Sequence, residues 1–570
     1  MRRWRVDLAV GAGYLAVALF LTHGLWQDPA GHVLALNWQD QTLNEWFLAH
    51  GLLPWQGDGT LVTDRLNAPD GVNLMANASL LLYGILLAPV TALFGAPVSF
   101  VLLVTLALAG TASAWYLLLC RRLGAGRVGA AVGGAFCGFA PGMVSQANGH
   151  PHIAAQFLVP VMVLLVLRLL DGTNPARDGA LLGVVVSLQL FGGEEVLFLT
   201  AIGCALFVGW YAMLDRTTAA ARLPALLAGL STTAGVALIL VGYPLWVQFA
   251  GPGSVPNGVF YGAYFSADVA SFVTYPGLSL GGDMATAGAV TTGPSEHNAF
   301  FGWPLLLAIV VACGWLWRRT EVKALALTGA GFALLALGPQ VVVAGQRTEI
   351  TGPWALIGHL PVVDSALPMR FVLPLIPIFG ILLAWAVDRA RSLDDFGRWA
   401  VAVTLGVALL PLLPTPMPVR DRAPVPEFVT SGAWRDCVRP GGTLVPVPVP
   451  TPADPTAMGW AAAAGDGFAL PSGFFIGPYA PEGQASMGTY AQPTADLLQR
   501  VAATGTVPTI GPAERDQAAA DLRFWRADCV VVPDGAPRAV ALRSVVADLL
   551  DRPGRHVGGV WAWDVIPSPN

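Results

Sequence analysis

"SLLLYGILLAPVTALFG", residues 79–95, is the stretch on which the topology turns. It is apolar almost throughout, yet at the lower limit of the roughly 17–25 residues that cross a bilayer. Other apolar runs lie near 6–26, 98–119, 128–147, 152–170, 178–193, 196–214, 222–249, 298–317, 321–344, 370–388 and 397–415. The connections between them fall into two sets. "RRLGAGR" (121–127), "DGTNPAR" (171–177), "DRTTAAAR" (215–222), "RRTEVK" (318–323) and "DRARSLDDFGR" (388–398) are basic, as is the N-terminus. The alternate connections, "SQANGHPH" (145–152), "GGEE" (192–195) and 250–297, hold no lysine or arginine. Basic connections stay in the cytoplasm. If 79–95 crossed the membrane, the arginines at 121–127 would lie outside and every later connection would invert. The stretch is therefore predicted to be re-entrant or interfacial.

This pattern predicts an α-helical polytopic membrane protein of about eleven spans, with the N-terminus in the cytoplasm. The large loops 28–77, 250–297 and 346–367 then face the extracytoplasmic side. Composition agrees: 55% of the 570 residues are hydrophobic and 12% charged, against about 25% charged in soluble domains. A net charge of −5 argues against a nucleic-acid partner. Lys323 is the single lysine, an arginine bias that fits a GC-rich bacterial genome and a bacterial plasma membrane. The opening "MRRWRVDLAVGAGYLAVALFLTHGLW" has a long apolar run without a small-residue cleavage site, so it is expected to stay as the first helix.

From about residue 416 the composition changes. Residues 1–415 form the transmembrane part, 416–430 a Pro-rich linker, and 431–570 a small extracytoplasmic α/β domain. "GTLVPVPVP" (442–450), "DCVVVPDG" (528–535) and "HVGGVWAWDV" (556–565) are predicted strands; 494–505, 512–525 and 537–550 are predicted helices. Cys437 and Cys529 flank two of these strands, and an oxidising compartment permits a disulfide between them. Cys120, Cys137, Cys204 and Cys313 sit in or beside spans as packing thiols.

The first outer loop holds "NWQDQTLNEWFLAHG" (37–51). Proline is absent from 30 to 53, and helical spacing puts Leu36, Asp40, Leu43 and Phe47 on one face. Asp40 thus falls on the apolar stripe and Glu45 elsewhere. An acid on a buried face is costly unless it is paired or functional. Other polar groups collect at the same outer level. His150 and His152 share a turn, Glu194 and Glu195 are adjacent, and Glu296 and His297 open a span. Arg370 lies on the side that otherwise avoids positive charge, and its guanidinium matches a phosphate bidentately. Asp64, Asp70, Asn73 and Asn77 of the turn-rich 64–79 loop are read as mostly structural. Phe260, Tyr261, Tyr264, Phe265, Phe272 and Tyr275 are read as an interface belt.

Taken in order, the motifs resemble the GT-C superfamily of membrane glycosyltransferases and the bacterial YfhO-type proteins. They are "NWQDQTLNEW" after one span, "APDGVNLMANAS" leading to "LLAPVTALFG", "GFAPGMVSQANGH", and late in the chain "LPMRF" before an exposed tail. The resemblance implies sugar transfer from a polyprenyl-phosphate carrier to an extracytoplasmic glycan, lipid or protein, with membrane lipids around the protein. By position it makes Asp40 the catalytic base. Arg370, His150, His152, Glu194, Glu195, Glu296 and His297 become substrate-binding candidates, with Glu194 or Glu195 suited to orienting the acceptor or holding a divalent metal ion. Many members pair two acids in the first loop; here Gln41 follows Asp40, which argues against a metal-dependent version. No other cofactor is implied. A flippase or transporter for lipid-linked saccharide, and a non-catalytic envelope-glycan-binding protein, stay open as alternatives. A transporter, however, would place ionisable groups near the midplane in repeated halves.

Overall fold

The structure, a computed structural model, describes residues 2–78, 80–479 and 483–565; Ser79 and the last five residues of the predicted tail domain lie outside them. Seven helices are long and apolar enough to cross a membrane: Trp4–Gln27, Ala96–Arg121, Pro151–Asp171, Glu194–Leu214, Arg216–Ala250, Pro368–Ala390 and Asp395–Leu412. The pair Arg127–Phe139 and Pro141–Ala147, bent by 41° at Ala140, raises the number to eight. The predicted spans 178–193, 298–317 and 321–344 contain the helices Pro175–Gly192, Trp303–Leu316 and Thr320–Ala336, of 18, 14 and 17 residues. These fall short in length or apolarity. The reason is clearest at 321–344, where the chain leaves the helix at Ala336 and forms a hairpin of Gln340–Val343 with Gln346–Thr351. Valine-rich "QVVV" satisfies a hydropathy count but pairs as a strand.

The stretch that opened the argument folds as the helix Leu81–Phe94. Fourteen residues rise about 21 Å, short of the ~30 Å hydrocarbon core. Gly95, at φ 87°, turns the chain directly into Ala96–Arg121. Leu86, Leu93 and Phe94 are exposed, while Tyr83 and Gly84 are buried.

Charged connections gather at one end of the helix bundle. Asp7 accepts hydrogen bonds from Tyr116 Oη at 2.7 Å and from Arg121 and Arg127. Arg122 pairs with Asp171, and Asp388 accepts from the Gly126 amide. The acids and histidines of the candidate site lie at the other end.

The helix Trp38–His50 carries Asp40 and is almost wholly buried from Gln41 onward. Its C-terminus packs against the Leu81–Phe94 helix at two glycines: a Cβ on Gly51 would lie 2.4 Å from the Gly84 backbone. The helical wheel mistakes the buried acid. Glu45 is 1% exposed and forms a bidentate pair with Arg422, at 2.6 and 2.7 Å. Gln41 bridges it, donating to Glu45 at 2.8 Å while accepting from the Leu34 amide at 2.7 Å. His50 meets the buried Asp466 at 2.8 Å.

Both partners come from beyond residue 416, so the tail grips this helix. The Pro-rich segment contains the strand Val419–Asp421, which pairs antiparallel with His32–Leu34. Helix Thr456–Ala463 packs on Trp38–His50. The tail's four-stranded sheet runs Arg555–Val557, Val560–Asp564, Ala527–Pro533, Thr443–Pro446, with only the last two parallel. Helices Pro493–Thr504, Pro512–Phe524 and Ala539–Leu550 cover one face. The period-2 alternation of strand residues divides Ala527–Pro533 between two cores. Val530 and Val532 meet Leu498, Leu522 and Val545, whereas Cys529 and Val531 join the core shared with the membrane helices. Cys529 is disulfide-bonded to Cys437.

Removing one member of a buried ion pair strands the other and costs about 3–5 kcal/mol. Arg422→Ala is therefore expected to lower the thermal unfolding midpoint of the protein in nanodiscs, and adding Glu45→Gln should recover part of the loss. Equal midpoints for the single and double variants would contradict this role for the pair.

Candidate functional site

Four separate segments converge around Arg370. The residue sits on a short helical turn, Pro368–Val372, which proline initiates ahead of Leu375–Ala390. Its Nη1 donates to Glu195 at 2.6 Å, and its Nε and Nη2 donate to Glu296 Oε1 at 3.0 and 2.5 Å. The guanidinium is 11% exposed and Glu296 5%, so these are charges removed from water that hold each other in place. Glu296 Oε2 accepts further hydrogen bonds from Gln146 at 3.1 Å and Asn298 at 2.7 Å. Gln146 in turn meets His150 Nδ1 at 2.9 Å through its carbonyl oxygen.

The Asp40 helix is fastened to this cluster through amides. Asn37 donates to the Asn148 carbonyl at 2.5 Å and Asn44 to the Gly149 carbonyl at 2.8 Å. Gly149 takes φ 139°, a conformation few other residues adopt, at the turn that presents His150. Asp40 itself is half-buried and makes no hydrogen bond or ion pair with the described residues. Burial pushes its carboxyl up to about 7; the Arg370 charge opposes that rise and Glu296 adds to it. Burial, assisted by Arg370, holds His150 down at about 3, so its ring is neutral near pH 7.

His150 and His152 stand with ring centroids 5.8 Å apart. His152 Nδ1 and Glu195 Oε1 are buried without partners. Such orphaned polar atoms are uncommon in folded proteins and mark a place where a ligand or water belongs. The site thus unites Asp40, His150, His152, Glu195, Glu296 and Arg370. Glu194 instead accepts from Gln248 at 2.7 Å. His297 turns into the wall: Nδ1 accepts from the Gly277 amide at 3.3 Å, and the ring packs on Phe300. Burial holds it down at about 4.

Arg370 is committed to two carboxylates, so it is less a free phosphate clamp than the sequence suggests. Among the described residues, the His, Cys, Asp and Glu ligand atoms of this site form no group of three within 4.8 Å of one another. The sequence reading passed over Gln146 and Asn298, which build the network. Their signal was adjacency, to His150 in "SQANGH" and to Glu296 in "EHNAF".

A cavity of about 360 Å³ lies within the bundle. Its lining includes Gln156, Val196, which follows Glu195 in the chain, and Leu373, three residues after Arg370. Phe207, Phe332 and Ile381 wall its middle, and Arg122, Arg319 and Trp385 line the charged end of the bundle.

A family model described as "Domain of unknown function (DUF6311)" matches residues 9–411. The chain belongs to the DUF6311 family. The matched region contains every residue of the cluster around Arg370, while the sheet-bearing tail lies beyond it. No curated protein matches this DUF6311 protein. Among solved structures, it is similar to the arabinofuranosyltransferase AftD from Mycobacteria, at a TM-score of 0.57 and 16% identity. The match covers 99% of this chain and 40% of AftD, so the protein spans well under half of that relative's length. At this identity the likeness shows the fold alone, shared with AftD over nearly all of this chain. ArnT from Cupriavidus metallidurans, bound to undecaprenyl phosphate, matches at TM-score 0.39 and 15% identity over 71% of this chain and 63% of its own. The Archaeoglobus fulgidus oligosaccharyltransferase matches at 0.48 and 10% over 95% and 71%.

The Asp40 carboxyl titrates in the unfolded chain at about 3.9, and the fold raises it. Ionisation then penalises the folded state, with a penalty absent well below 3.9, growing up to about 7 and full above it. Asp40→Asn is expected to raise the unfolding midpoint at pH 8 and to change it little at pH 4. A difference that ignores pH would contradict the raised value.

Proposed function

We propose that this protein is an integral-membrane glycosyltransferase that moves a sugar from a polyprenyl-phosphate carrier to an acceptor hydroxyl on the extracytoplasmic side. The observation that carries the reading is the carboxyl of Asp40, unpaired among the described residues and held near 7 by burial beside the Arg370 cluster. A base is most effective when it titrates near the working pH, and among the described residues Asp40 has no ion-pair partner to hold it lower.

In the proposed step, Asp40 takes the proton from the acceptor hydroxyl. The hydroxyl oxygen attacks the anomeric carbon, forming the glycosidic bond. The bond from that carbon to the carrier's phosphate oxygen breaks, and the electron pair leaves with polyprenyl phosphate. The charge of the departing phosphate is met by Arg370, shared with its two glutamates, and by the N–H of the neutral His152 ring. The polyprenyl tail occupies the cavity past Val196 and Leu373, whose apolar walls suit a hydrocarbon chain.

In the topology that goes with this reading, Pro175–Gly192, Trp303–Leu316 and Thr320–Ala336 also cross. Seven long helices, the bent pair and these three make eleven spans. The arginine-bearing end then faces the cytoplasm and the Arg370 site, with the tail domain, faces outward.

Loss of a general base costs typically 10²–10⁴-fold in rate. Asp40→Asn, expressed to the wild-type level, is expected to lose at least 100-fold in transfer, while wild-type transfer rises with pH through about 7 as the carboxylate forms. Undiminished envelope glycan in the Asp40→Asn strain would sink the assignment.

A further inference from the structure

A second cavity, of about 100 Å³, lies between the turn of the first outer loop and the tail domain. It is well above the roughly 10–15 Å³ that one water needs. Its walls are covalently remote but rigidly joined. The Ala68 amide donates to the Leu470 carbonyl at 2.9 Å and the Leu470 amide returns to Arg65 at 3.0 Å. Asn77 grips Ile476 twice, at 2.8 and 2.7 Å. On the far wall, Asp521 accepts from the Thr494 amide at 2.8 Å and from Gln517 at 2.7 Å, which fixes the start of the Pro493–Thr504 helix.

The lining combines flat rings with uncommitted polar groups. Tyr490 and Phe524 supply half-buried aromatic surface, and Trp525 backs them. The side chains of Asp70, Gln492, Asp496 and Gln499 line the same space and make no hydrogen bond or ion pair with the described residues. Among the described residues, no lysine, arginine or histidine lines it. Aromatic faces with adaptable amide and carboxylate acceptors suit a ring that presents C–H groups on its faces and hydroxyls around its rim. Two carboxylates without a compensating cation repel phosphates and uronates.

We propose that this cleft is a binding site for a neutral glycan. Its binding stands on the cleft alone; its role as the subsite that holds the acceptor away from the anionic donor rests on the transfer reading above.

The test is saturation-transfer NMR on the full-length protein in nanodiscs, with malto-, manno- and xylo-oligosaccharides against oligogalacturonate. The wild type is expected to bind at least one neutral series and to bind oligogalacturonate at least 10-fold more weakly. Tyr490→Ala and, separately, Gln499→Ala should each weaken neutral binding about 10-fold without moving the unfolding midpoint, and Asp40→Asn should leave it intact. No binding of any neutral series, a preference for oligogalacturonate, or wild-type affinity in both cleft variants would overturn the proposal. Intact binding by a wild type that transfers no sugar would overturn the transfer reading and leave the cleft standing.

Discussion

Arg370 organises the site end of this protein's helix bundle. A guanidinium removed from water needs its charge answered and its donors filled. Here the answer comes from Glu195, at the start of one helix, and Glu296, in the loop before another. Gln146 and Asn298 then saturate Glu296, and Gln146 carries the network on to His150. One buried charge therefore fixes the mutual placement of segments whose glutamates lie 175 and 74 residues away along the chain. Apolar helix packing in lipid lacks the directional cost that a misplaced charge imposes, so register at this end is set by polar contacts.

A second buried pair, Glu45 with Arg422, does the same for the helix that carries Asp40. The two pairs have opposite consequences for their neighbours. Glu45 is satisfied on both oxygens and serves structure. Asp40, five residues earlier, is brought to the Arg370 cluster yet receives no hydrogen bond. Keeping a carboxyl unsatisfied in a desolvated setting works against stability, and such local costs collect at functional sites. The tail is part of this arrangement, since Arg422, Asp466 and the Val419–Asp421 strand all grip the first outer loop.

Features governed by local physics were legible in the sequence. The proline-free run from 30 to 53 announced the Asp40 helix, the consecutive valines of 530–532 announced a strand, and the arginine-bearing loops did gather at one end. The reading of 79–95 as non-crossing rests on charge and not on length, since the helix there has 14 residues and so does Trp303–Leu316. Span number was not legible to the same degree, because hydropathy alone does not separate a helix from the strand at Gln340–Val343. The wheel also failed at Glu45. Periodicity assumes one buried face, whereas this helix is covered by the tail on the side a wheel assigns to solvent. Ion-pair partners 377 and 175 residues distant leave no local trace.

The account reduces to one claim: the Arg370–Asp40 cluster breaks a bond between sugar and carrier phosphate. The direct measurement uses the purified protein in liposomes with radiolabelled polyprenyl-phosphate sugars and envelope glycan. The account predicts that label passes onto glycan while free polyprenyl phosphate appears in equal amount. Label that stays on the carrier, whether or not the carrier changes leaflet, would contradict it.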